Sequence, residues 1–145
     1  MEIFDCELPR WDYFYPGTGV SRGAFSKAAT VLFWLALAFT LVMATLPQPP
    51  QLPMHPGDKV MHMAAFAALS LLAWLAFPRQ WVCVLFAWMV ALGAVIEVLQ
   101  FIPELHRDAD VVDWLADCGA SLAVLVLCQC MRWAVTKRDN RLEDR

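Results

Sequence analysis

Four long apolar stretches constrain the fold of this chain more than any other feature. They cover residues 28–46, 60–77, 81–101 and 111–135 of a 145-residue sequence in which 60% of the residues are hydrophobic. A helix needs about 20 apolar residues to cross a bilayer, with a range of about 17–25. Helices that are apolar on every face cannot all be buried in so small a soluble protein. The sequence therefore predicts an all-α membrane bundle of four transmembrane helices.

The rest of the chain divides around this bundle. Residues 1–27 form a polar, aromatic-rich leader, residues 28–135 form the four-helix domain, and residues 136–145 form a charged tail. The leader is acidic and precedes the first apolar stretch by its whole length, which is not the pattern of a signal peptide. Pro78 ends the second span shortly before the third begins, so these two spans should form an antiparallel hairpin.

The positions of Lys and Arg predict the orientation of the bundle. Basic residues gather before the first span, in the short turn after the second span and in the tail, whereas the other side carries only Lys59 and Arg107. Because positively charged segments stay in the cytoplasm, both termini should be cytoplasmic. The loops at residues 47–59 and 102–110 should then face outward.

The five cysteines predict neither a disulfide framework nor a metal site. Their number is odd and four of them lie in the spans, where a small buried apolar residue is the default interpretation. Cys128 and Cys130 are two residues apart on a helix, so they point to different faces.

Acidic residues concentrate at the outer ends of the spans. They are Asp58, Glu97, Glu104, Asp108, Asp110, Asp113 and Asp117. Polar groups within a bilayer are costly, so they usually face a protein interior or a wet cavity. Helical spacing places them with other polar residues on shared faces: Asp58 with His62, Glu97 with Gln100, and Asp110 with Asp113 and Asp117. We therefore predict a ligand-binding polar pocket formed by Asp58, Lys59, His62, Glu97, Gln100, Arg107, Asp110, Asp113 and Asp117.

Structural roles compete with this interpretation at several positions. Asp58 and Asp110 are equally suited to cap helices, and Glu104 and Asp108 read as solvated loop charges. Ser70 and Ser121 are expected to hydrogen-bond back to their own helices. A purely structural role is least suited to Glu97 and Asp117, because neither can cap its helix and both have apolar surroundings.

The charge balance adds a constraint, since the seven acids face only Lys59 and Arg107. In a dry site not every carboxylate can stay ionised and unpaired. Arg107 can hold one carboxylate through a two-pronged bond, and Lys59 or His62 another. The others must be hydrated, protonated or paired with a cation from outside.

Small residues predict close helix packing. Gly93 lies one turn deeper than Glu97, and Gly119 with Ala123 gives the small-xxx-small spacing that lets membrane helices approach closely.

Three blocks resemble the VanZ-like family of small multi-pass bacterial membrane proteins. Residues 58–66, DKVMHMAAF, are similar to the family's DKxxHxxxF segment; Gly93 with residues 96–100, IEVLQ, to its G..iE..Q segment; and residues 107–120 to its R..D..D...N..G block. The resemblance covers roughly residues 58–123. Asp117 stands where the family usually has Asn, which adds a carboxylate at depth.

The resemblance implies a cell-envelope protein of the bacterial cytoplasmic (inner) membrane. The orientation predicted from the Lys and Arg residues would place its polar pocket on the extracytoplasmic side. The family is named for a protein linked to resistance to the glycopeptide teicoplanin, so a link to glycopeptide resistance is the expectation. The resemblance supplies no reaction.

The leading hypothesis is that the pocket binds an envelope lipid or glycan-lipid. Lys59 and Arg107 would bind an anionic group of the ligand, and Glu97, Gln100 and Asp117 would orient it. The sequence leaves open an outer-leaflet enzyme using carboxylates and His62 in acid–base or metal-assisted chemistry, a proton-coupled carrier subunit, and a purely structural partner protein.

Catalytic and cofactor motifs are not found in the chain. It has no Ser nucleophile elbow, no HExxH and no Gly-rich phosphate loop. We therefore predict no cofactor and no resident metal, and leave open whether the protein is an enzyme. The expected partners are the bilayer and its lipids, not nucleic acid, and a homo-oligomer stays open.

Overall fold

The computed structural model describes residues 22–46, 58–102 and 110–143. In these ranges the chain is all-helical and contains no strand, which confirms the all-α part of the prediction. The four helices are α1 (Arg22–Thr45), α2 (Asp58–Ala76), α3 (Val82–Gln100) and α4 (Val111–Glu143).

Each of the four helices contains a segment long and apolar enough to cross a membrane. The segments are Phe25–Thr45, Lys59–Ala76, Val82–Gln100 and Val111–Arg138. Large apolar side chains also point away from the bundle, among them Phe39, Trp88 and Val98, which are each about two-thirds exposed or more (66%, 67% and 71%). An exposed apolar surface on every helix is unfavourable in water and suited to lipid. These features indicate a multi-pass membrane protein.

Two helices are longer than the apolar stretches that predicted them. α1 begins at Arg22, inside the predicted leader, and residues 1–21 of that leader lie outside the described part of the chain. α4 has 33 residues and continues through the charged segment to Glu143, so residues 136–143 extend the helix. At about 1.5 Å per residue α4 is about 50 Å long, which exceeds the roughly 30 Å hydrocarbon core of a bilayer.

Successive helices along the chain alternate in direction. The Ser26 hydroxyl on α1 donates to the Ala76 carbonyl at the end of α2 (3.2 Å). The Gln100 amide at the end of α3 donates to the Ala44 carbonyl near the end of α1 (3.2 Å). α1 and α3 therefore run one way, and α2 and α4 run the other. We call the end where α1 and α3 finish and α2 and α4 begin the polar end.

The α2–α3 connection is the short hairpin that Pro78 predicted. The Phe77 amide closes the last turn of α2 on the Ala73 carbonyl (2.9 Å), and the Gln80 amide donates to the Phe77 carbonyl (3.0 Å). The Phe77 ring meets Phe33 of α1 edge to face, with the centroids 5.4 Å apart. This contact fixes the hairpin against α1.

Apolar side chains from all four helices form the core. Phe66, Leu69, Ile96, Leu125 and Cys128 are almost completely buried. The predicted buried character of the cysteines holds for Cys128, whereas Cys83 and Cys130 are exposed; all four cysteines in the described ranges are free. The most extensive helix contacts are those of α2 with α4 and with α1.

Gly93 and Gly119 have opposite surroundings. A Cβ atom at Gly93 would lie only 2.8 Å from Cδ1 of Trp114 and 3.5 Å from Cζ of Phe66, while nothing lies within 4 Å of one at Gly119. The Trp114 indole is fixed over Gly93 by a hydrogen bond from its Nε1 to the Val90 carbonyl (3.1 Å). Close packing is thus seen at Gly93, and Gly119 faces outward.

Candidate functional site

The first turn of α4 organises the polar end. The backbone N–H of Val112 donates to Oδ1 of Asp110 (2.9 Å), and the N–H of Asp113 donates to the Asp110 carbonyl (2.8 Å). Asp110 therefore caps α4, the structural role that its sequence position suggested. The cap leaves the second carboxylate oxygen, Oδ2, available to another group.

Glu97 joins α3 to the start of α4. Its Oε2 accepts a hydrogen bond from the backbone N–H of Asp110 (2.9 Å). The N–H groups at a helix start lack partners within the helix and carry partial positive charge, so a carboxylate there is favourable. Its position near the end of α3 prevents Glu97 from capping the start of its own helix. The carboxylate instead stabilises the beginning of the next helix.

Lys59 of α2 binds two carboxylates of α4. Its Nζ lies 2.7 Å from Oδ2 of Asp110 and 2.6 Å from Oδ1 of Asp113. The Lys59 ammonium and the Val112 N–H both favour the charged carboxylate, so the pKa of Asp110 lies below its ordinary value. The Lys59 and Asp110 side chains are 51% and 43% exposed, whereas Asp113 is only 14% exposed. Asp110 is therefore the accessible partner of Lys59, and Asp113 is the sheltered partner.

His62 and Asp117 form a deeper pair between α2 and α4. Nδ1 of His62 lies 3.6 Å from Oδ2 of Asp117, and the side chains are 11% and 3% exposed. This separation is longer than an ordinary hydrogen bond. The other carboxylate oxygen of Asp117, Oδ1, is buried with no hydrogen-bond partner among the described residues. Glu97 is within electrostatic range of His62, Asp113 and Asp117.

Ser70 and Ser121 do not make the hydrogen bonds expected from the sequence. Both are completely buried, and within the described ranges neither hydroxyl has a hydrogen-bond partner. The prediction that each bonds back to its own helix is therefore wrong. By contrast, Thr30 and Thr136 are only partly buried, and their hydroxyls donate hydrogen bonds to the carbonyl four residues earlier.

Six of the nine predicted pocket residues come together at the polar end: Lys59, His62, Glu97, Asp110, Asp113 and Asp117. We call this set the polar cluster. Gln100 is buried, but its amide binds the Ala44 carbonyl of α1. The Asp58 side chain and all of Arg107, Glu104 and Asp108 lie outside the described part of the structure.

Two residues near the cluster were missed as parts of the site by sequence reasoning. The sequence assigned no role in the site to Trp114, and Ser121 was expected to hydrogen-bond back to its own helix. Only the positions of these residues in the sequence could have indicated a role. Trp114 lies near the polar end of α4 and packs against Gly93. Ser121 follows Asp117 by one helical turn. No group of three or more His, Cys, Asp or Glu side chains in the described ranges is placed to hold a metal ion.

The fold and the cluster define a four-helix membrane-type bundle with ionisable side chains gathered at one end. In comparisons with known proteins, no family model, no curated protein and no solved structure matches the chain. The likeness to the VanZ-like family therefore rests on the three sequence blocks.

Proposed function

We propose that this chain is a VanZ-like multi-pass protein of the bacterial cytoplasmic membrane whose polar end faces outward and binds the headgroup of an envelope lipid or glycan-lipid. The observation that carries the proposal is the polar cluster itself. Three helices bring six ionisable side chains together there, with Lys59 and Asp110 open to a ligand. Ionisable groups held at the edge of an apolar bundle are typical of binding or transport sites.

The distribution of basic side chains supports the orientation. At the end opposite the polar end, the exposed basic residues are Lys27, Arg79, Lys137, Arg138 and Arg141. Lys137 also lies over the Trp133 ring (4.8 Å to the centroid), a pairing suited to a membrane interface. Lys59 is the one Lys or Arg described at the polar end. By the positive-inside rule, this distribution supports cytoplasmic termini.

Lys59 is the group through which an anionic headgroup would bind. Its ammonium is half exposed, and so is Asp110, the more accessible of its two carboxylate partners. A phosphate or carboxylate oxygen of the ligand would take the place of Asp110 at Nζ, while the sheltered Asp113 keeps the lysine in position. In this proposal Arg107 supplies a second cationic contact from the adjoining loop.

The test measures the melting temperature of the purified protein in mild detergent against envelope lipids and lipid-linked glycans. A ligand that binds the folded state raises the melting temperature. Lys59→Ala and Arg107→Ala should each weaken binding about tenfold or more, because hydrogen bonds to charged groups are worth about 1.5–3 kcal/mol. Lys137→Ala, at the opposite end, is the matched control and should bind as wild type does. Unchanged affinity in both polar-end variants, with the bundle folded, would refute the proposal.

A structural function is the second candidate, and the Glu97–Asp110 contact favours it. That hydrogen bond and the two Lys59 ion pairs tie α2, α3 and α4 together. If locking the bundle is the cluster's whole function, then its variants should lower the melting temperature and no envelope lipid should raise it. Lipid-dependent stabilisation that Lys59→Ala loses would rule this candidate out.

A link to glycopeptide resistance is proposed from the family resemblance alone. The test compares teicoplanin sensitivity of bacteria that express the chain, the Lys59→Ala variant or neither. The proposal predicts reduced sensitivity with the wild-type chain only. Equal sensitivity in all three strains, with the protein present in the membrane, would contradict it.

A further inference from the structure

Two buried oxygen atoms beneath the polar cluster lack hydrogen-bond partners in the described structure. One is Oδ1 of Asp117, a residue only 2% exposed, and the other is Oγ of Ser121, which is completely buried. Buried polar atoms without partners are costly, more so in a membrane interior where water cannot reach them. Their presence on one helix, one turn apart, points to a bound group that they share.

Helix geometry directs Ser121 toward Asp117. Residues four apart lie on one face, and the Cα–Cβ bonds tilt toward the start of the helix, so the Ser121 hydroxyl points to the turn that carries Asp117. Three threonine hydroxyls, those of Thr30, Thr45 and Thr136, do bond back to their own helices, as Thr30 does to the Ser26 carbonyl (2.8 Å). Ser121 does not, so its oxygen stays available as a ligand.

The charge around these atoms is negative. The described cluster holds four carboxylates, those of Glu97, Asp110, Asp113 and Asp117, against the cations of Lys59 and, when protonated, His62. Lys59 is already engaged by Asp110 and Asp113. The surplus would attract a cation toward Asp117 and oppose an anion at that depth.

We propose that Asp117 and Ser121 hold a monovalent cation such as sodium. The Asp117 carboxylate and the Ser121 hydroxyl supply hard oxygen ligands, and water molecules would complete the coordination of the ion. A divalent ion such as calcium usually has several carboxylate ligands, and no group of three or more His, Cys, Asp or Glu side chains in the described ranges is placed to hold one. The site departs from the sequence expectation of no resident metal because the partnerless oxygens become evident only in the folded bundle.

The experiment uses the full chain in detergent without added lipid. Its melting temperature is measured at increasing sodium chloride, with choline chloride keeping ionic strength constant, and again with potassium chloride. At a hundredfold excess over Kd, sodium should raise the melting temperature by roughly 5–10 °C. Choline should have no such effect.

Three variants locate the ion. Asp117→Asn should abolish the sodium response, since it removes the charge while keeping the shape. Ser121→Ala should raise the apparent Kd for sodium about threefold to tenfold, the loss expected for one neutral ligand. Ser70→Ala is the matched control, because Ser70 is equally buried and its hydroxyl also lacks a described partner, but it lies on α2. Its sodium response should match wild type.

Three results would overturn the cation site: equal melting temperatures in sodium and choline, a sodium response that survives in Asp117→Asn, or equal effects of Ser121→Ala and Ser70→Ala. If Asp117→Asn does not fold, the two serine variants decide. Headgroup binding is measured separately with lipids, so failure of this site would leave the proposed function standing.

Discussion

Replacing Gly93 with alanine tests the closest helix contact in the structure. The new Cβ atom would lie 2.8 Å from Cδ1 of Trp114, well inside van der Waals contact. Overpacking of this kind costs about 1–3 kcal/mol. If the indole moves away, the hydrogen bond from its Nε1 to the Val90 carbonyl is also lost, at about 0.5–1.5 kcal/mol.

Gly119→Ala provides the matched control. It lies in a helix of the same bundle, but its Cβ would meet nothing within 4 Å. Both substitutions gain up to about 1 kcal/mol from helix propensity, so this gain cancels in the comparison. Gly93→Ala should therefore be less stable than Gly119→Ala by about 1–4 kcal/mol.

The assay is reversible unfolding of both variants in mixed micelles, followed by helical circular dichroism. A double variant of Gly93→Ala with Trp114→Phe should recover part of the loss, because the smaller ring leaves room for the Cβ. Equal stability of the two alanine variants would refute the packing of Trp114 over Gly93.

Three further predictions concern the polar end. Glu97→Ala should lower the free energy of unfolding by about 1–3 kcal/mol, since it leaves the Asp110 N–H without its acceptor. Glu97→Gln keeps an acceptor and should lower it less. Equal stability of the two variants in thermal unfolding would contradict this prediction. The pKa of Asp110 is lowered in the folded state, mainly by Lys59. Its contribution to stability should therefore be present above the ordinary carboxylate pKa of about 4 and be lost as the pH falls through the lower folded value. Melting temperatures between neutral and strongly acidic pH should show that loss in wild type and a smaller loss in Lys59→Met, whereas identical curves would contradict it. Gln100→Ala should cost about 0.5–1.5 kcal/mol by removing the bond to Ala44 and leave lipid binding unchanged; weakened binding would return Gln100 to the site.

The helices were predictable because length and hydropathy dominate in membrane-type segments. The hairpin at Pro78 followed from local chemistry, since proline cannot continue the helix. The start of α1 and the end of α4 were not predictable from apolar stretches, because charged residues can extend a helix beyond the apolar zone. Hydropathy measures which residues can lie in lipid, and helix length can exceed that zone.

The gathering of the polar cluster was also predictable, because alternating helix direction and a fixed rise per residue set the depth of each side chain. The hydrogen-bond partner of each polar residue at this end was not predictable. Glu97 and Gln100 are three residues apart, yet Glu97 binds the start of α4 and Gln100 binds α1. Which helix each of these two side chains contacts depends on the rotation of α3 about its own axis. The contact of Gly93 with Trp114 helps to set this rotation.

The most direct test of headgroup binding at the polar end is native mass spectrometry of protein purified from bacterial membranes. Wild type, Lys59→Ala and Lys137→Ala would be prepared in parallel. The proposal predicts a retained envelope lipid or glycan-lipid in wild type and Lys137→Ala, and about tenfold less of it in Lys59→Ala. The same bound lipids at the same occupancy in all three proteins would contradict it.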